Sequence, residues 1–421
     1  MAEASGLSAL FWGILTFSLL VVVHEGGHFA AARAFGVKVH EFMVGLPGPA
    51  LRFHGKKTTY GITAVPLGGY VRIAGMEPGP EDPRIEAALA AVTRAESMNA
   101  FELAEALGIE EHDAESLLVT LADWGAVEAM PDEDYTYRSL HPQAAADDPH
   151  TLYLAARSQT YRALSFPKRV VVLSAGVVLN LLTAILVFTV VLSVWGYYKE
   201  TMVVDSVTAA SAADKAGIRV GDEIVAFEGE PVTEWRSLVT QIQTHEPGDQ
   251  VEVTYVRDGK RTTVVATLGA REGTDVALLG LAPGFEQVRP SVFQAFAESF
   301  GYIGLTFVAI AGFFNPETFQ MSVSNSSSVI GASYIAAQAA ETGPVDYAAI
   351  VALLSLSLGV INIVPIPPLD GGKVAIEVVE RLRGRPLPRN LSLGISVTGA
   401  LMLFALIGYL MYADVVRFIA G

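Results

Sequence analysis

The sequence has no cysteine and little charge. None of its 421 residues is cysteine, which excludes disulfides, thiolate metal ligands and cysteine nucleophiles. A metal in this protein must therefore be bound by histidine or carboxylate side chains. Only 17% of the residues are charged and 51% are hydrophobic, a balance too apolar for an ordinary soluble protein. The composition predicts a membrane protein.

Four apolar runs are long enough to cross about 30 Å of hydrocarbon as helices. They are Leu7–Phe35, Val170–Trp195, Tyr347–Pro365 and Leu391–Tyr412. A fifth run, Val292–Phe314, carries Glu298 and is rich in Phe and small residues, which favours an amphipathic helix at the interface. The first run has no basic n-region and no small-residue cleavage site, so we expect it to stay in the protein.

Basic residues set the expected orientation, because membrane-proximal Lys and Arg mark the cytoplasmic side. Three basic clusters alternate with the four spans: Arg33, Lys38, Arg52, Lys56, Lys57 and Arg72; Arg162, Lys168 and Arg169; and Lys373, Arg381, Arg383, Arg385 and Arg389. The pattern predicts a multi-pass protein of the inner or plasma membrane. The N-terminus, residues 196–346 and the C-terminus would lie outside.

Residues 24–28, at the end of the first span, read HEGGH. Residues four apart share one helix face, so His24 and His28 can hold one Zn²⁺ through imidazole nitrogens. Glu25 then points beside the metal, where it can take a proton from water. The alternative is that these side chains cap a span at the interface, although ionisable residues inside a span are usually functional.

A catalytic zinc usually takes three protein ligands, and residues 362–374, NIVPIPPLDGGKV, supply a third candidate. The prolines at 365, 367 and 368 cannot continue the third span as a regular helix, so we expect the chain to unwind there. Asp370 then lies at the same cytoplasmic boundary as His24 and His28. Taken alone, Asp370 is more simply a helix N-cap, but two polar sites at one depth favour a metal ligand.

Two asparagines lie in apolar surroundings, Asn180 in the second span and Asn362 at the end of the third. A buried amide needs partners, so each could orient a substrate backbone or polarise a carbonyl. Each could equally tie two helices together, with Gly176 allowing a close approach beside Asn180. For Asn180 the two interpretations are even, and for Asn362 we favour substrate contact.

The segment after the first span has a strand pattern. Leu51 and Phe53, and later Tyr60 and Ile62, alternate in the strand manner, and Gly68-Gly69 supplies a bend. An open strand edge inside a membrane needs a partner, and an unwound substrate helix added as a further strand would provide one. A purely structural cytoplasmic hairpin is the alternative.

Four motifs in order resemble the site-2 protease family of intramembrane zinc metalloproteases, in particular its bacterial branch with a PDZ domain. They are HEGGH at 24–28, TAVPLGGYVRIAGM at 63–76, SAGVVLN at 174–180 and NIVPIPPLDGG at 362–372. The resemblance implies one zinc ion per chain, bound by His24, His28 and Asp370, with Glu25 as catalytic base. It also implies that residues 63–76 belong to a membrane-reentrant β-hairpin, and we expect Gly68, Gly69 and Tyr70 there to contact substrate. Val177 departs from the proline common after the glycine of the second-span motif.

Residues 200–285 have the pattern of a PDZ domain. We expect a strand, a short helix at Ala212–Ala216 stopped by Gly217, a strand near Ile224–Phe227, and a hairpin turning at Asp258-Gly259. Such a domain captures a peptide on a strand edge or a C-terminal carboxylate. Here it would filter substrates by the bulk or cleavage state of their outer domain, or serve only as a spacer.

The net charge of −16 is concentrated in one cytoplasmic insert. Between Glu77 and His150 there are 18 acidic residues and three arginines, a local net charge of −15. Predicted helices at Arg84–Ser97, Ala100–Leu107 and Asp113–Trp124, then a hairpin at Ala126–Tyr137, resemble a winged-helix fold. Nucleic-acid-binding surfaces must be basic, so we expect no nucleic acid partner. We predict a regulatory or protein-interaction module that binds a basic partner or the basic rim of its own active site; an acidic domain without a partner is the alternative.

The predicted fold is a polytopic α-helical membrane protein with about four transmembrane helices, a membrane-reentrant β-hairpin, one PDZ domain (α+β) and a winged-helix-like insert. The predicted segments are transmembrane helix 1 (1–36), the reentrant β region (37–76), the acidic insert (77–165), transmembrane helix 2 (166–198), the PDZ domain (199–286), an amphipathic interfacial segment (287–345), transmembrane helix 3 with its cytoplasmic loop (346–390) and transmembrane helix 4 (391–421).

The function predicted from these features is zinc-dependent hydrolysis of peptide bonds in or near the transmembrane segment of single-pass proteins, next to the cytoplasmic face. As the resemblance implies, the substrates would be anti-sigma factors or signal-peptide remnants, met within membrane lipid. One rival is an inactive receptor or scaffold that binds transmembrane helices through its PDZ and acidic domains. A second is an ion transporter, which would need inverted repeats that we do not find.

Overall fold

The computed structural model of the protein describes residues 5–65, 68–130, 135–270 and 275–420. The chain divides into two compact units, Met1–Thr189 with Phe296–Gly421, and Val190–Ala295. Two predicted features lie partly outside the described residues: the 63–76 motif at residues 66–67, and the turn of the insert's hairpin at residues 131–134. Among the described residues, five helices are long and apolar enough to cross a membrane.

Helix α1 (Gly6–Ala34) is the first of these five. It starts where the Ser5 hydroxyl accepts the backbone N–H of Ser8, an N-cap contact. It ends where Gly36 takes a positive φ of 80°, a conformation that favours glycine and turns the chain into the following sheet.

Four strands follow α1: β1 (Val39–Val44), β2 (Ala50–His54), β3 (Thr59–Thr63) and β4 (Gly69–Ile73). Their order in the sheet is β2-β3-β1-β4, with β1 parallel to β3 and antiparallel to β4. The predicted bend at Gly68-Gly69 lies between β3 and β4, but these strands do not form a hairpin with each other, because each pairs with β1; the antiparallel hairpin of this sheet is β2–β3. The apolar side chains of Leu51 and Phe53 on β2 are 73% and 66% exposed.

The acidic insert has its own small core. It consists of α2 (Ile85–Ala95), β5 (Ser97–Met98), α3 (Ala100–Leu107), α4 (Glu111–Trp124), β6 (Val127–Met130), β7 (Thr136–Ser139) and α5 (Pro149–Arg157). The strands form a sheet in the order β5-β7-β6. Leu89, Leu103 and Leu121 are fully buried between the helices. The first helix is shorter than predicted, because Ser97–Met98 joins the sheet instead.

Helix α6 (Phe166–Val194) leads into the second unit. That unit contains β8 (Tyr197–Val207), α7 (Ala212–Lys215), β9 (Glu223–Phe227), β10 (Glu230–Pro231), α8 (Trp235–Ile242), β11 (Gln250–Arg257), β12 (Lys260–Thr267), β13 (Gly269–Ala270), β14 (Ala277–Leu278) and β15 (Leu281–Val288). The main sheet has the order β12-β11-β9-β8-β15, with β10 paired to β9, and packs on Leu238 of α8. The predicted turn at Asp258-Gly259 joins β11 to β12.

Six helices complete the first unit: α9 (Val292–Ala311), α10 (Pro316–Ser324), α11 (Val329–Thr342), α12 (Pro344–Ile361), α13 (Asp370–Arg383) and α14 (Arg389–Ala420). Residues 287–345, predicted as one interfacial segment, therefore contain the three helices α9 to α11. Helix α11 packs along the first half of α1, with Ala337 against Ala9. Helix α12 ends at Ile361, four residues before the predicted end of the third span, and the prolines follow it.

Candidate metal centre

Two helices bring three potential metal ligands together. Helix α1 supplies His24 and His28, and the first turn of α13 supplies Asp370. The three side chains are buried. Their ligand atoms lie close enough together to hold one metal ion. The structure thus assembles the three predicted ligands, although Asp370 lies 342 residues after His28.

The spacing of the ligand atoms fits zinc. Asp370 Oδ2 lies 3.0 Å from Nε2 of both histidines, and the two Nε2 atoms are 3.4 Å apart. Tetrahedral zinc with bonds of ~2.0–2.1 Å holds neighbouring ligand atoms about 3.3 Å apart. The three atoms therefore have the spacing of one face of a zinc tetrahedron, which leaves the fourth corner for water or substrate.

The tautomer of His28 also favours a cation bound between His28 and Asp370. Its Nδ1 lies 2.8 Å from the carbonyl oxygen of Val172 in α6, which can only accept a hydrogen bond. Nδ1 therefore carries the proton, and Nε2 of the neutral ring directs a lone pair at Asp370. A lone pair facing a carboxylate oxygen is repulsive unless a cation or a proton lies between them. A carbonyl on the second nitrogen is the usual way a protein orients a zinc-bound histidine.

His24 has a comparable partner in Asn180 of α6. The amide Nδ2 lies 3.2 Å from His24 Nδ1, and Asn180 Oδ1 is buried with no hydrogen-bond partner among the described residues. Turning the amide over lets Oδ1 accept the ring N–H and leaves the Nε2 lone pair of His24 for a metal. The Ser355 hydroxyl donates to the Asn180 carbonyl (3.0 Å), so this residue also ties α12 to α6.

Two glycines allow α1 and α6 to meet at the ligands. A Cβ atom on Gly27 would overlap the carbonyl oxygen of Ala175. A Cβ atom on Gly176 would overlap His28 Nε2 and lie 2.8 Å from the His24 carbonyl oxygen. The predicted close approach at Gly176 is therefore confirmed, and it takes place directly over the ligand atoms.

The unwound segment before α13 fixes the orientation of Asp370. The Gly371 N–H donates to the Asn362 carbonyl (2.7 Å), which folds residues 362–371 back toward the end of α12. Lys373 Nζ lies 3.2 Å from Asp370 Oδ1, leaving Oδ2 to face the histidines. The Asn362 side chain donates to the Leu358 carbonyl of its own helix (2.9 Å), so its predicted substrate contact stays a prediction.

Glu25 lies between the ligands and the end of strand β4. Its carboxylate is half-buried and makes no hydrogen bond with the described residues. A Cβ atom on Gly69, at the start of β4, would lie 3.6 Å from Glu25 Cγ. Gly68 and Tyr70 make contacts within the sheet: the Gly68 carbonyl accepts from Gly45 N–H (2.7 Å) and the Tyr70 hydroxyl donates to Glu41 (2.9 Å). Their predicted substrate contact stays a prediction. Because β4 is the outer strand, its other edge pairs with no strand among the described residues.

The insert is docked close to this site. Asp123 Oδ2 accepts the Gly75 N–H (2.7 Å), and His40 contacts the Asp123 carbonyl. At the other end of the insert, the Tyr161 hydroxyl donates to Glu377 of α13 (3.0 Å), which also pairs with Arg169 at the start of α6. Burial and the nearby Glu377 carboxylate raise the pKa of Tyr161 well above its usual range.

Sequence reasoning missed several contributors to the centre. Lys373 follows Asp370 by three residues on one helix, a spacing that would have indicated the pair. Val172 acts through its backbone carbonyl and Gly27 through its missing side chain, so neither shows a polar signal in the sequence.

Comparison with known proteins agrees with this geometry. The family described as "Peptidase family M50" matches residues 12–406. The chain is 26% identical to the zinc metalloprotease RasP of Geobacillus kaustophilus, over 98% of this chain and 99% of that protein. It is 30% identical to the RasP of Shouchella clausii, covering 90% and 92%. It is 24% identical to the "regulator of sigma-W protease RasP" of Bacillus subtilis, covering 96% and 97%.

Solved PDZ-domain structures are similar to part of the chain. The PDZ domain of an SdrC-like protein from Listeria monocytogenes matches 20% of this chain and 87% of that domain, at 20% identity and a TM-score of 0.19. The family match spans nearly the whole sequence and includes all three candidate ligands. The chain therefore belongs to peptidase family M50, as the resemblance to site-2 proteases predicted.

Proposed function

We propose that this protein is an intramembrane zinc metalloprotease that hydrolyses a peptide bond in or near the transmembrane segment of single-pass proteins. The convergence of His24, His28 and Asp370 at 3.0–3.4 Å carries the proposal. The membership of family M50 and the zinc metalloprotease relatives support zinc, one ion per chain, as the cofactor.

Different residues of the chain bind the metal, transfer the proton and orient the ligands. His24, His28 and Asp370 would hold zinc, which when bound polarises a carbonyl and makes a water molecule more acidic. Glu25, unpaired beside the ligands, takes the proton from that water at its carboxylate and passes it to the leaving amine. Lys373 holds Asp370 Oδ1, and Val172 and Asn180 orient the two imidazoles, so the ligand set is preorganised.

Substrate would bind as an extended strand. A helical segment hides its carbonyls in hydrogen bonds, so it must unwind before hydrolysis. The unpaired edge of β4, which begins beside Glu25, supports the addition of the unwound segment as a further strand. Gly69 keeps this edge close to α1, and the exposed apolar β2–β3 face supports the proposal that residues 37–76 enter the membrane.

We propose four full spans, α1, α6, α12 and α14, with the metal centre near the cytoplasmic face and residues 199–286 outside. The basic clusters support this orientation. The C-terminal end of α12 must return to the same side as His24 for Asp370 to reach it. Helix α9 would then enter the outer leaflet without a net crossing, although its length and composition allow one. Its Tyr302 ring packs 4.9 Å from Phe188 of α6.

The second unit is proposed to be a PDZ domain that filters substrates. Its strand order and the packing of α8 on the sheet support this proposal.

The insert is proposed to have a winged-helix fold and a regulatory role without nucleic acid. The order α2-β5-α3-α4-β6-β7 and the local charge of −15 support this. Its contacts with His40 and Gly75 favour the basic rim of its own active site as the partner.

Substrates of the anti-sigma factor type fit one relative in particular, which is named a regulator of sigma-W protease. The rival function, an inactive scaffold that binds helices, is disfavoured because a scaffold needs neither Glu25 nor a complete ligand set. The transporter would need inverted repeats that the sequence lacks.

The test is the Glu25→Gln variant, purified and compared with the wild type for zinc content and for cleavage of a model single-pass substrate. We expect near-stoichiometric zinc in both proteins and cleavage only by the wild type. Metal-free wild-type protein, or unchanged cleavage by Glu25→Gln, would overturn the proposal.

A further inference from the structure

A large cavity lies between the sheet and the insert, on the side toward which β4 runs. Its volume is about 1090 Å³, at the upper end of ordinary ligand pockets. One wall is formed by β1 and β4, the other by α4, β6 and β7 of the insert, and Lys373 lines it as well. Because Lys373 contacts Asp370 at 3.2 Å, the cavity begins next to the metal centre.

The cavity reaches the unpaired edge of β4. Val71, Arg72 and Ile73 all line it. Consecutive strand residues point to opposite faces, so a cavity lined by three in a row wraps around the edge between those faces. The same strand starts at Gly69 beside Glu25. A substrate strand that pairs with β4 at the metal therefore continues directly into this cavity.

Two cations that line the cavity form no ion pair with the described residues. Lys373 is paired with Asp370, and His40 contacts the Asp123 carbonyl. Lys38 and Arg72 make no side-chain hydrogen bond and no ion pair within the described part of the chain. Burial and then the charge of Arg72 lower the pKa of Lys38, while the carboxylates of Asp123 and Glu128 on the insert wall raise it.

The acidic side chains of the insert wall attract Lys38 but do not form an ion pair with it. Asp123 accepts from the Gly75 N–H, and Glu128 pairs with Arg138 at 3.1 Å on the neighbouring strand. The insert thus closes the cavity with apolar side chains such as Val127 and Tyr137, and its carboxylates there form their hydrogen bond and ion pair with Gly75 and Arg138. Within the described residues, Lys38 and Arg72 are therefore left without an ion pair on the wall of a cavity that Glu77 also lines.

We propose that Lys38 and Arg72 are specificity-determining residues that bind an acidic side chain of the substrate, on the cytoplasmic side of the scissile bond. The inference rests on the proposed proteolytic function and names the substrate feature that this function would select. From Gly69 to Arg72 the strand advances three residues, about 10 Å at ~3.4 Å per residue. The acidic residue is therefore expected three to five residues from the scissile bond.

The test is a substrate series cut by the full-length enzyme in vesicles of fixed lipid composition. One transmembrane segment carries Asp, Asn or Lys at the third, fourth or fifth position on the cytoplasmic side of the mapped cleavage site. For the wild type we expect kcat/KM to be about tenfold higher for Asp than for Asn at one of these positions, as a charge-assisted hydrogen bond would give. In Arg72→Glu and Lys38→Glu the preference should turn toward Lys.

Lys57→Glu, in the β2–β3 turn and outside the cavity, is the matched control and should keep the preference for Asp. If Lys38→Glu fails to fold, the exposed Arg72 still provides the test. Equal rates for Asp, Asn and Lys in the wild type, or an unchanged preference in the reversed variants, would overturn the inference. A loss that is the same for every substrate and depends on anionic lipid would assign the two cations to a lipid headgroup and overturn it too. If the proposed proteolytic function itself is wrong, no substrate is cut at all, and this outcome is distinct from a wrong assignment of specificity.

Discussion

The metal centre and the acidic insert are held by different kinds of contact. At the centre, backbones touch: Gly27 meets the Ala175 carbonyl, and Gly176 lies over the ligand histidines. The insert is held by separate polar contacts instead, such as the Asp123 carboxylate on the Gly75 N–H (2.7 Å) and the Lys38 N–H on the Gln159 carbonyl (2.8 Å).

This difference predicts two kinds of response to mutation. Close-packed backbones cannot yield without moving the ligands, so changes at the centre should abolish function. A hydrogen bond contributes about 0.5–1.5 kcal/mol, so the insert contacts can be lost one at a time with graded effects. We therefore expect the ligand positions and the chemistry to be fixed at the metal centre. We expect selectivity among substrates to be adjustable through the insert.

The largest effect is expected from Gly27→Ala. Its Cβ would push α1 away from α6 and shift His28, and a displacement of about 1 Å can reduce a rate ~100-fold. We expect cleavage to fall at least that far, with a lower zinc content, measured together on the purified variant. Gly26→Ala is the matched control, since nothing lies within 4 Å of a Cβ there, and it should retain zinc and activity. Equal behaviour of the two variants would contradict the close-packing account.

An intermediate effect is expected from replacing residues 78–160 by a short glycine linker. The two ends of the insert meet at the sheet, where the Tyr161 N–H donates to the Ala74 carbonyl (2.8 Å) and Arg162 contacts the Glu77 carbonyl. We therefore expect near-stoichiometric zinc and continued cleavage, with discrimination among substrates reduced. Total loss of zinc would show that the insert is part of the centre and that the boundary is wrong.

The same contrast explains what the sequence could predict. His24, Glu25 and His28 are four residues or fewer apart on one helix, so their shared face follows from helix geometry alone. Asp370 could be added because three prolines before it end the third span. The helices of the insert followed from local periodicity and capping, as at Asn99, which forms a capping box with Glu102.

Other features have no local signal. The parallel pairing of β1 with β3 depends on where the whole sheet folds back, which strand alternation does not specify. The Val172 carbonyl that orients His28 belongs to a backbone with no distinguishing side chain. The docking of Asp123 on Gly75 joins residues 48 positions apart through a backbone amide. Long-range backbone contacts of this kind require the structure.

The smallest effect is expected from pH, through His40. Burial lowers the pKa of His40, and the charges of Arg72 and Lys38 also lower it, while Asp123 opposes them. His40 has a higher pKa when it is released from Asp123 than when it contacts it. The contact is therefore at full strength above the ordinary histidine pKa of about 6.5. It weakens as pH falls below that value.

Hydrogen exchange of β1 and α4, corrected for its intrinsic pH dependence, should report this effect. We expect protection to fall by at most about tenfold between pH 7.5 and 5.5, because one pKa unit corresponds to that factor. His40→Gln keeps a donor and should remove the dependence on pH. A wild-type profile that is flat, or one shared by His40→Gln, would contradict the assignment to His40.

The most direct test of the account is X-ray absorption at the zinc edge on the purified Glu25→Gln protein and on Asp370→Ala in the same background. For Glu25→Gln we predict two imidazole ligands and oxygen ligands, all at about 2.0–2.2 Å around one zinc per chain. For Asp370→Ala we predict one oxygen ligand fewer or loss of the metal. An identical zinc environment in the two proteins, or a zinc ion without two imidazoles, would contradict the claim that His24, His28 and Asp370 bind one ion.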